Sequence, residues 1–168
     1  MPGRSMPRAA RKIARECPTI RARQASRALT RVYDDALRPV GVQMSQFSVL
    51  IAIAASTESG ATISALANAL VMDRTTLTRN LRPLERAGFL RVTRAQGDAR
   101  ARHVVLTHRG ERIIELAYPL WEGALARVRR VLGARKLRLL NAQLSAVVES
   151  AMRLAELGAA SARERSEK

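Results

Sequence analysis

Residues 62–88 leave the chain little conformational choice. Thr62 opens the segment Ile63-Ser-Ala-Leu-Ala-Asn-Ala-Leu70, Val71-Met72 connects it onward, and Asp73 opens a second segment, Arg74–Ala87, closed by Gly88. Threonine and aspartate at such positions accept hydrogen bonds from the free N–H groups of a helix start, and glycine takes the left-handed conformation that ends one. In the second segment Leu77, Leu81 and Leu84 fall at i, i+4 and i+7 and share one side, while Thr75, Arg79, Arg82 and Arg86 share another. A core can hold the first side; the second presents short hydroxyls near the helix start and guanidinium groups further along. Pro83 is the local conflict, because inside a helix it removes an N–H and costs about 3 kcal/mol. It predicts a bend between an outward-facing half and a core-facing half.

Directly behind this pair, Phe89–Arg94 reads as a strand, Ala95-Gln-Gly-Asp98 supplies turn residues, and Arg102–Leu106 reads as the returning strand. Two capped helices, a tight connection and a hairpin are the order of a winged helix-turn-helix, although the connection lacks the usual glycine. Small hydroxyls and arginines on the second helix suit base edges and phosphates of a DNA major groove. Arg94, Arg100 and Arg102, near the hairpin tip, suit a narrow, electronegative minor groove. The bland alternative is an amphipathic surface helix with a solvated basic face.

Composition weighs between these. Lys plus Arg number 30 against 14 acidic residues, for a net charge of +16, and the lysines are only Lys12, Lys136 and Lys168. Such a balance implies a polyanionic partner, with nucleic acid the default. An anionic membrane surface competes, but no helix pairs a broad apolar face with Trp and Phe anchors. RNA binding lacks aromatic stacking platforms. The chain is 47% apolar but only 3% aromatic, so its core must be aliphatic, which favours helices. Cys17 is the single cysteine, and His103 and His108 the only histidines, so no internal disulfide or zinc cluster is expected, and no cofactor. Neither paired acids, nor a nucleophile with its base, nor a glycine-rich phosphate loop is visible, so an enzyme is not expected. No membrane span or secretory leader is evident, so the reading is cytoplasmic.

The flanks read as helices. Residues 1–17 are a basic mobile tail, or a partly ordered helical extension, open to sequence-independent phosphate contacts. Pro18 suits a helix start, and a stripe through Ala25, Leu29, Val32/Tyr33 and Leu37 runs to Pro39-Val-Gly41. Ser45 is expected to cap a short helix, Gln46–Ala55, with Phe47, Leu50, Ile51 and Ala54 inward. Thr107 opens a helix running to Leu132 and stopped by Gly133, with a bend expected near Pro119. A last helix spans Ala134–Leu157, with Leu140, Leu144, Val147/Val148 and Leu154 on one side, and Gly158 begins a polar tail.

This order resembles the MarR family of bacterial transcriptional regulators over about residues 18–157. Leu66-Ala67, Asp73-Arg-Thr-Thr-Leu-Thr-Arg79, Leu84-Glu85 and Gly88-Phe-Leu90 carry the likeness, with Asp98-Ala-Arg100, Val104-Val-Leu-Thr107 and Gly110 at the wing and its junction. The resemblance implies a mainly α fold with a small β wing. A winged helix-turn-helix module over 43–107 would join helical dimerisation arms, 18–42 and 108–157, between tails at 1–17 and 158–168. Long helices with narrow apolar stripes agree, since pairing buries them. A homodimer would read double-stranded DNA at a pseudo-palindromic operator, its half-sites about one helical turn apart.

By resemblance and by face, Thr75, Thr76, Thr78 and Arg79 lie at base edges, while Arg82 and Arg86 hold phosphates or internal carboxylates. Arg100 resembles the family's minor-groove arginine, Asp98 would orient an arginine, and Ser64 would bond a phosphate. Two release signals follow. Cys17, at a helix start beside Lys12, Arg15 and Arg21, should have a lowered pKa, and some peroxide-sensing relatives carry a reactive cysteine there. They pair it with tyrosines, whereas Tyr33 here lies about four turns on. A phenolic or aromatic-acid effector could instead sit among Tyr33, His103 and Trp121, or these could simply be core residues. The expected protein is a DNA-binding regulator, a repressor released by such an aromatic ligand or by Cys17 oxidation as in a stress response. The alternative is a nonspecific chromosome-associated protein, which needs neither the threonine-rich helix start nor a dimer.

Overall fold

The computed structural model of the 168-residue chain describes residues 7–56, 60–95 and 98–166, with the side chains of 94–101, 156 and 158–166 outside the description. Along it run α1 (Arg8–Glu16), α2 (Pro18–Leu37), a 3-10 turn (Arg38–Val40), α3 (Met44–Ala54), β1 (Ala61–Thr62), α4 (Ile63–Ala69), α5 (Arg74–Arg86), β2 (Leu90–Ala95), β3 (Asp98–Leu106), α6 (His108–Leu132) and α7 (Ala134–Ser166). The chain is mainly helical with one small antiparallel sheet, and it divides into two compact units, Met1–Ala124 and Leu125–Lys168.

Local chemistry sets the helix ends. The Thr62 hydroxyl accepts from the Ala65 N–H at 3.1 Å and opens α4; Asp73 Oδ1 accepts from the Thr76 N–H at 2.8 Å and opens α5. Gly88 ends α5 at φ +73° and Gly133 ends α6 at φ +83°. Between α4 and α5, where a glycine is usual, Val71 takes the left-handed conformation at φ +51° with its side chain 58% exposed. A β-branched residue is strained there. α5 runs unbroken through Pro83, which leaves the Arg79 carbonyl without its i+4 donor.

The leucine side of α5 is the centre of the first unit. Leu77, Leu81 and Leu84 are buried with Val49, Leu50 and Ile53 of α3, Leu66 and Ala67 of α4, and Leu90 and Val104 of the sheet. A second cluster joins Leu37, Val42, Phe47 and Ala117, and Phe89, Ile113 and Ile114 pack against both. The sheet order is β1-β3-β2, with Val104 opposite both Ala61 and Val92, so the hairpin is rooted in the core.

Thr107 locks the hairpin base. Its hydroxyl donates to the Gly88 carbonyl at 2.6 Å and accepts from the Gly110 N–H at 3.1 Å, while its own N–H donates to the Phe89 carbonyl at 3.1 Å. Gly110 has no room for a side chain, since a Cβ would lie 1.9 Å from the Phe89 carbonyl oxygen. Asp34 of α2 likewise ties the helices together, accepting from the Met44 N–H at 2.6 Å.

The structure departs from the sequence reading in several places. α3 begins at Met44 with Gln43, not Ser45, at its cap; the Gln43 N–H donates to Gln46 Oε1 at 2.9 Å. Val49 and Ile53 are buried with Phe47 and Leu50, whereas Ile51 is 42% exposed and Ala54 is exposed. A helix apolar nearly all round has no stripe from which to choose its inner side. β1, of 2 residues, is too short to announce itself by alternation. Of the two readings open for the basic N-terminal segment, mobile tail or helical extension, residues 8–16 take the helical one. α7 runs past Gly158 to Ser166 instead of yielding to a polar tail, because Ala159, Ala160 and Ala162 offset one glycine's cost of about 1 kcal/mol.

Candidate nucleic-acid interface

Because its leucines are held inside, α5 turns Thr75, Arg79, Arg82 and Arg86 to solvent, with Arg74 beside them at the helix start. Ion pairs among the described residues are Lys12–Glu16, Arg38–Asp35 and His108–Glu111. None reaches Arg74, Arg79, Arg82, Arg86, Arg91 or Arg102. Of the two roles expected of Arg82 and Arg86, an internal carboxylate partner is not found among the described residues.

The three threonines are not equivalent. Thr76 Oγ1 donates to Asp73 Oδ2 at 2.6 Å, and Thr78 Oγ1 donates to the Arg74 carbonyl at 2.7 Å. Both hydroxyl protons are thus committed within the helix, which leaves these oxygens as acceptors toward anything outside. The Thr75 hydroxyl has no partner among the described residues and can donate or accept. Asp73 is held by the Thr76 hydroxyl and N–H and by the Thr75 N–H, which keep its carboxyl below the usual carboxylate range. A fixed anion at the cap in turn fixes the start of the helix.

Thr78, Arg82 and Glu85, one stripe of α5, line a cleft of about 370 Å³ with Ile63, Leu81, Val92, Thr93 and Arg102. Glu85 Oε1 accepts from the Val92 N–H at 3.3 Å and so braces the helix against β2. Arg82 and Arg102 thereby share one hollow between helix and hairpin. Arg94 and Arg102 are opposite one another across the hairpin, and Ala95 faces Asp98. The side chains of Arg94, Asp98 and Arg100, expected at the wing tip, lie outside the described residues. Ser64 is exposed in the first turn of α4.

The remaining candidates are scattered. Cys17 is a half-buried free thiol at the start of α2, where the N–H of Ile20 and then the N–H and hydroxyl of Thr19 lower its pKa against the opposing effect of burial. Tyr33 is half-buried on α2, and burial raises its pKa. His103 sits in the sheet opposite Thr62 and Thr93, and Trp121 packs on the Leu37–Phe47 cluster. Neither the cleft above nor a smaller one of about 200 Å³ beside Gly60 is lined by any of the three. Sequence reasoning passed over Arg74 and Arg91, both exposed and without an ion-pair partner among the described residues, and Tyr118, which stacks on Trp121 at 6.1 Å and donates to Glu122 at 2.8 Å. An arginine at the first helical position and one on an outward strand register carry a signal only once the interface side is known. Among the described residues no single helix is long and apolar enough to cross a membrane, and no cluster of His, Cys, Asp and Glu could hold a metal.

A helix-turn-helix with an exposed basic outer side, backed by a core-rooted hairpin, defines a winged-helix DNA-binding protein. The MarR family model matches residues 40–101, the helix-turn-helix and most of the wing. Among solved structures, the M. tuberculosis transcriptional regulator MosR in complex with DNA is 39% identical, the alignment covering 81% of this chain and 98% of that one with a TM-score of 0.69. A mutant of E. coli MarR complexed with operator DNA is 25% identical over 80% of this chain and 96% of that one, with a TM-score of 0.71. The repressor CouR bound to a 23-mer DNA duplex shares the fold, with a TM-score of 0.72 at 24% identity, over 80% and 94% of the two chains. No curated protein matches the sequence. The chain belongs to the MarR family of DNA-binding transcriptional regulators.

Proposed function

We propose that two copies of this chain pair through α2, α6 and α7 and grip one pseudo-palindromic operator, acting in the cytoplasm as a repressor that occludes it. The carrying observation is the outward side of α5, where among the described residues Thr75 and Arg79 are free to donate and Arg82 and Arg86 have no carboxylate partner. In this reading Thr75 and Arg79 meet base edges, Thr76 and Thr78 accept from base amino groups, and Arg82, Arg86 and Ser64 hold phosphates. Arg94, Arg100 and Arg102 enter the minor groove, with Asp98 orienting a neighbour. Pairing is supported by α7, whose Leu144, Val147, Val148 and Leu154 are exposed in the single chain. Selection of bound sequences from random duplexes, with molar mass measured alongside, tests the proposal. The expected outcome is a symmetric motif and twice the protomer mass; equal affinity for scrambled duplexes would replace the operator reading with nonspecific chromosome binding. Arg79→Ala should then weaken operator binding by about 1–3 kcal/mol and relax one base position.

For release, the half-buried free thiol of Cys17 at the start of α2 supports oxidation, with an aromatic ligand among Tyr33, His103 and Trp121 as the alternative. A thiolate at α2 would attack a peroxide oxygen and break the O–O bond, giving a sulfenic acid at Cys17 and expelling hydroxide or an alkoxide, which takes a proton from water. Cys17→Ser should abolish peroxide-induced release, and a wild-type complex indifferent to peroxide ends that reading.

A further inference from the structure

The structure carries a second basic surface that the operator reading does not use. In α1, Arg8, Arg11, Lys12 and Arg15 fall at i, i+3, i+4 and i+7 and form one stripe, while Ala9, Ala10, Ile13 and Ala14 fill the rest. Nothing in α1 is buried, and all four cations are exposed. The stripe has one carboxylate near it, Glu16 at 3.9 Å from Lys12 Nζ, an exposed pair of little worth. No other acid occurs before Asp34, so Arg21, Arg23, Arg27 and Arg31 add to the same uncompensated charge. Like charges at i+3 and i+4 repel, so the ordered stripe is favoured by an anion laid along it.

We propose that α1 is a sequence-independent contact to the phosphate backbone of duplex DNA, additional to α5 and the hairpin. At 1.5 Å per residue, Arg8 to Arg15 covers about 10 Å, a length over which one strand presents about three phosphates. The apolar side offers alanines and a lone Ile13 with no aromatic anchor, which disfavours insertion into a lipid surface. Without aromatic side chains on the stripe, single-strand stacking is unserved, whereas evenly spaced cations suit the regularly spaced phosphates of a duplex. The contact therefore adds affinity and salt dependence, and no sequence preference.

The test compares the full chain with the quadruple variant Arg8→Gln, Arg11→Gln, Lys12→Gln, Arg15→Gln on a random-sequence duplex of about 60 bp across a salt series. The expected result is a slope of log affinity on log salt smaller by about 3, with the base motif selected by the protein unchanged. A triple variant Arg8→Lys, Arg11→Lys, Arg15→Lys keeps the charge and should keep the wild-type slope; loss of slope there too would mean a structural role and overturn the proposal. An unchanged slope in the glutamine variant overturns it as well, and so does a defect confined to binding of phosphatidylglycerol vesicles. Two-colour coincidence of separately labelled duplexes assigns the phosphates to a second duplex, and its absence alongside the slope change assigns them to DNA flanking the first.

Discussion

α5 and α7 are both amphipathic, yet one has its apolar side inside the chain and the other does not. Leu77, Leu81 and Leu84 of α5 are at most 3% exposed, whereas Leu144, Val147, Val148, Leu154 and Leu157 of α7 range from 42% to 70% exposed. In α5 a narrow stripe meets α3, α4 and the sheet within the same unit, so the module that presents the arginines can fold on its own contacts. Among the described residues of α7 none is buried, and a helix of 33 residues with a continuous apolar side needs a surface to cover it. Under the proposed function, the contrast separates the part that would read DNA from the part that would set how many readers act together.

The sharpest way to break that contrast is in the core. Leu77→Ala removes a fully buried side chain against α3 and α4 and should lower the unfolding free energy by about 3 kcal/mol, equally at every protein concentration. Chemical denaturation at two concentrations checks it; a concentration-dependent loss would mean the module does not stand alone. Val147→Asp with Leu154→Asp should act in the opposite manner. Each uncovers about 2 kcal/mol of apolar burial in the proposed pairing, so sedimentation should show lighter species as the protein is diluted. The near-ultraviolet signature of the module should persist. If mass is unchanged in that double variant, α7 is not where copies meet.

How much of this was legible depends on the range of the forces involved. Thr62, Asp73, Thr107, Gly88 and Gly133 act on their own few residues, and each stands in the structure where the sequence puts it. The buried side of α5 was equally plain, because three leucines on one stripe admit a single phase. The inner side of α3 was not, because Ile51 and Ile53 are alike until a partner chooses between them. For the site, the side of α5 could be read, but not that Thr76 and Thr78 spend their protons on Asp73 and Arg74. Those bonds are local, yet a threonine in a helix offers several acceptors and the pattern does not say which it takes. The cleft shared by Arg82 and Arg102 depends on how the hairpin folds back, which no spacing encodes.

Val71 sharpens the comparison from inside the module, since it is the place where a local rule is broken. Its left-handed backbone sets the angle between α4 and α5, and its exposed side chain offers little burial in exchange. Val71→Gly should relieve strain worth about 1–3 kcal/mol against a glycine entropy cost of about 0.5–1 kcal/mol, for a net gain near 1 kcal/mol. A thermal melt checks it. Any loss of stability would mean that the valine side chain has a contact worth more than the strain.

The smallest effect lies at the other end of the same turn. Asp73 is held below its usual range by the Thr76 hydroxyl and the N–H groups of Thr76 and Thr75, so as acid is added the unfolded chain takes up its proton first. The stabilisation it lends is fully present above about pH 4, the value of a free carboxyl, and is lost as pH falls through the lower value of the folded state. Asp73→Asn keeps an equally good cap and removes the titration. The two proteins should therefore melt alike near neutral pH, and wild type should fall away from the variant only below about pH 4, the other carboxyls cancelling in the difference. A difference that stays flat through that range would mean the Asp73 carboxylate gains nothing from its neighbours over a neutral amide. The start of α5 would then owe its position to the leucines behind it, and the cap would be a consequence of the core and not a second anchor for the reading helix.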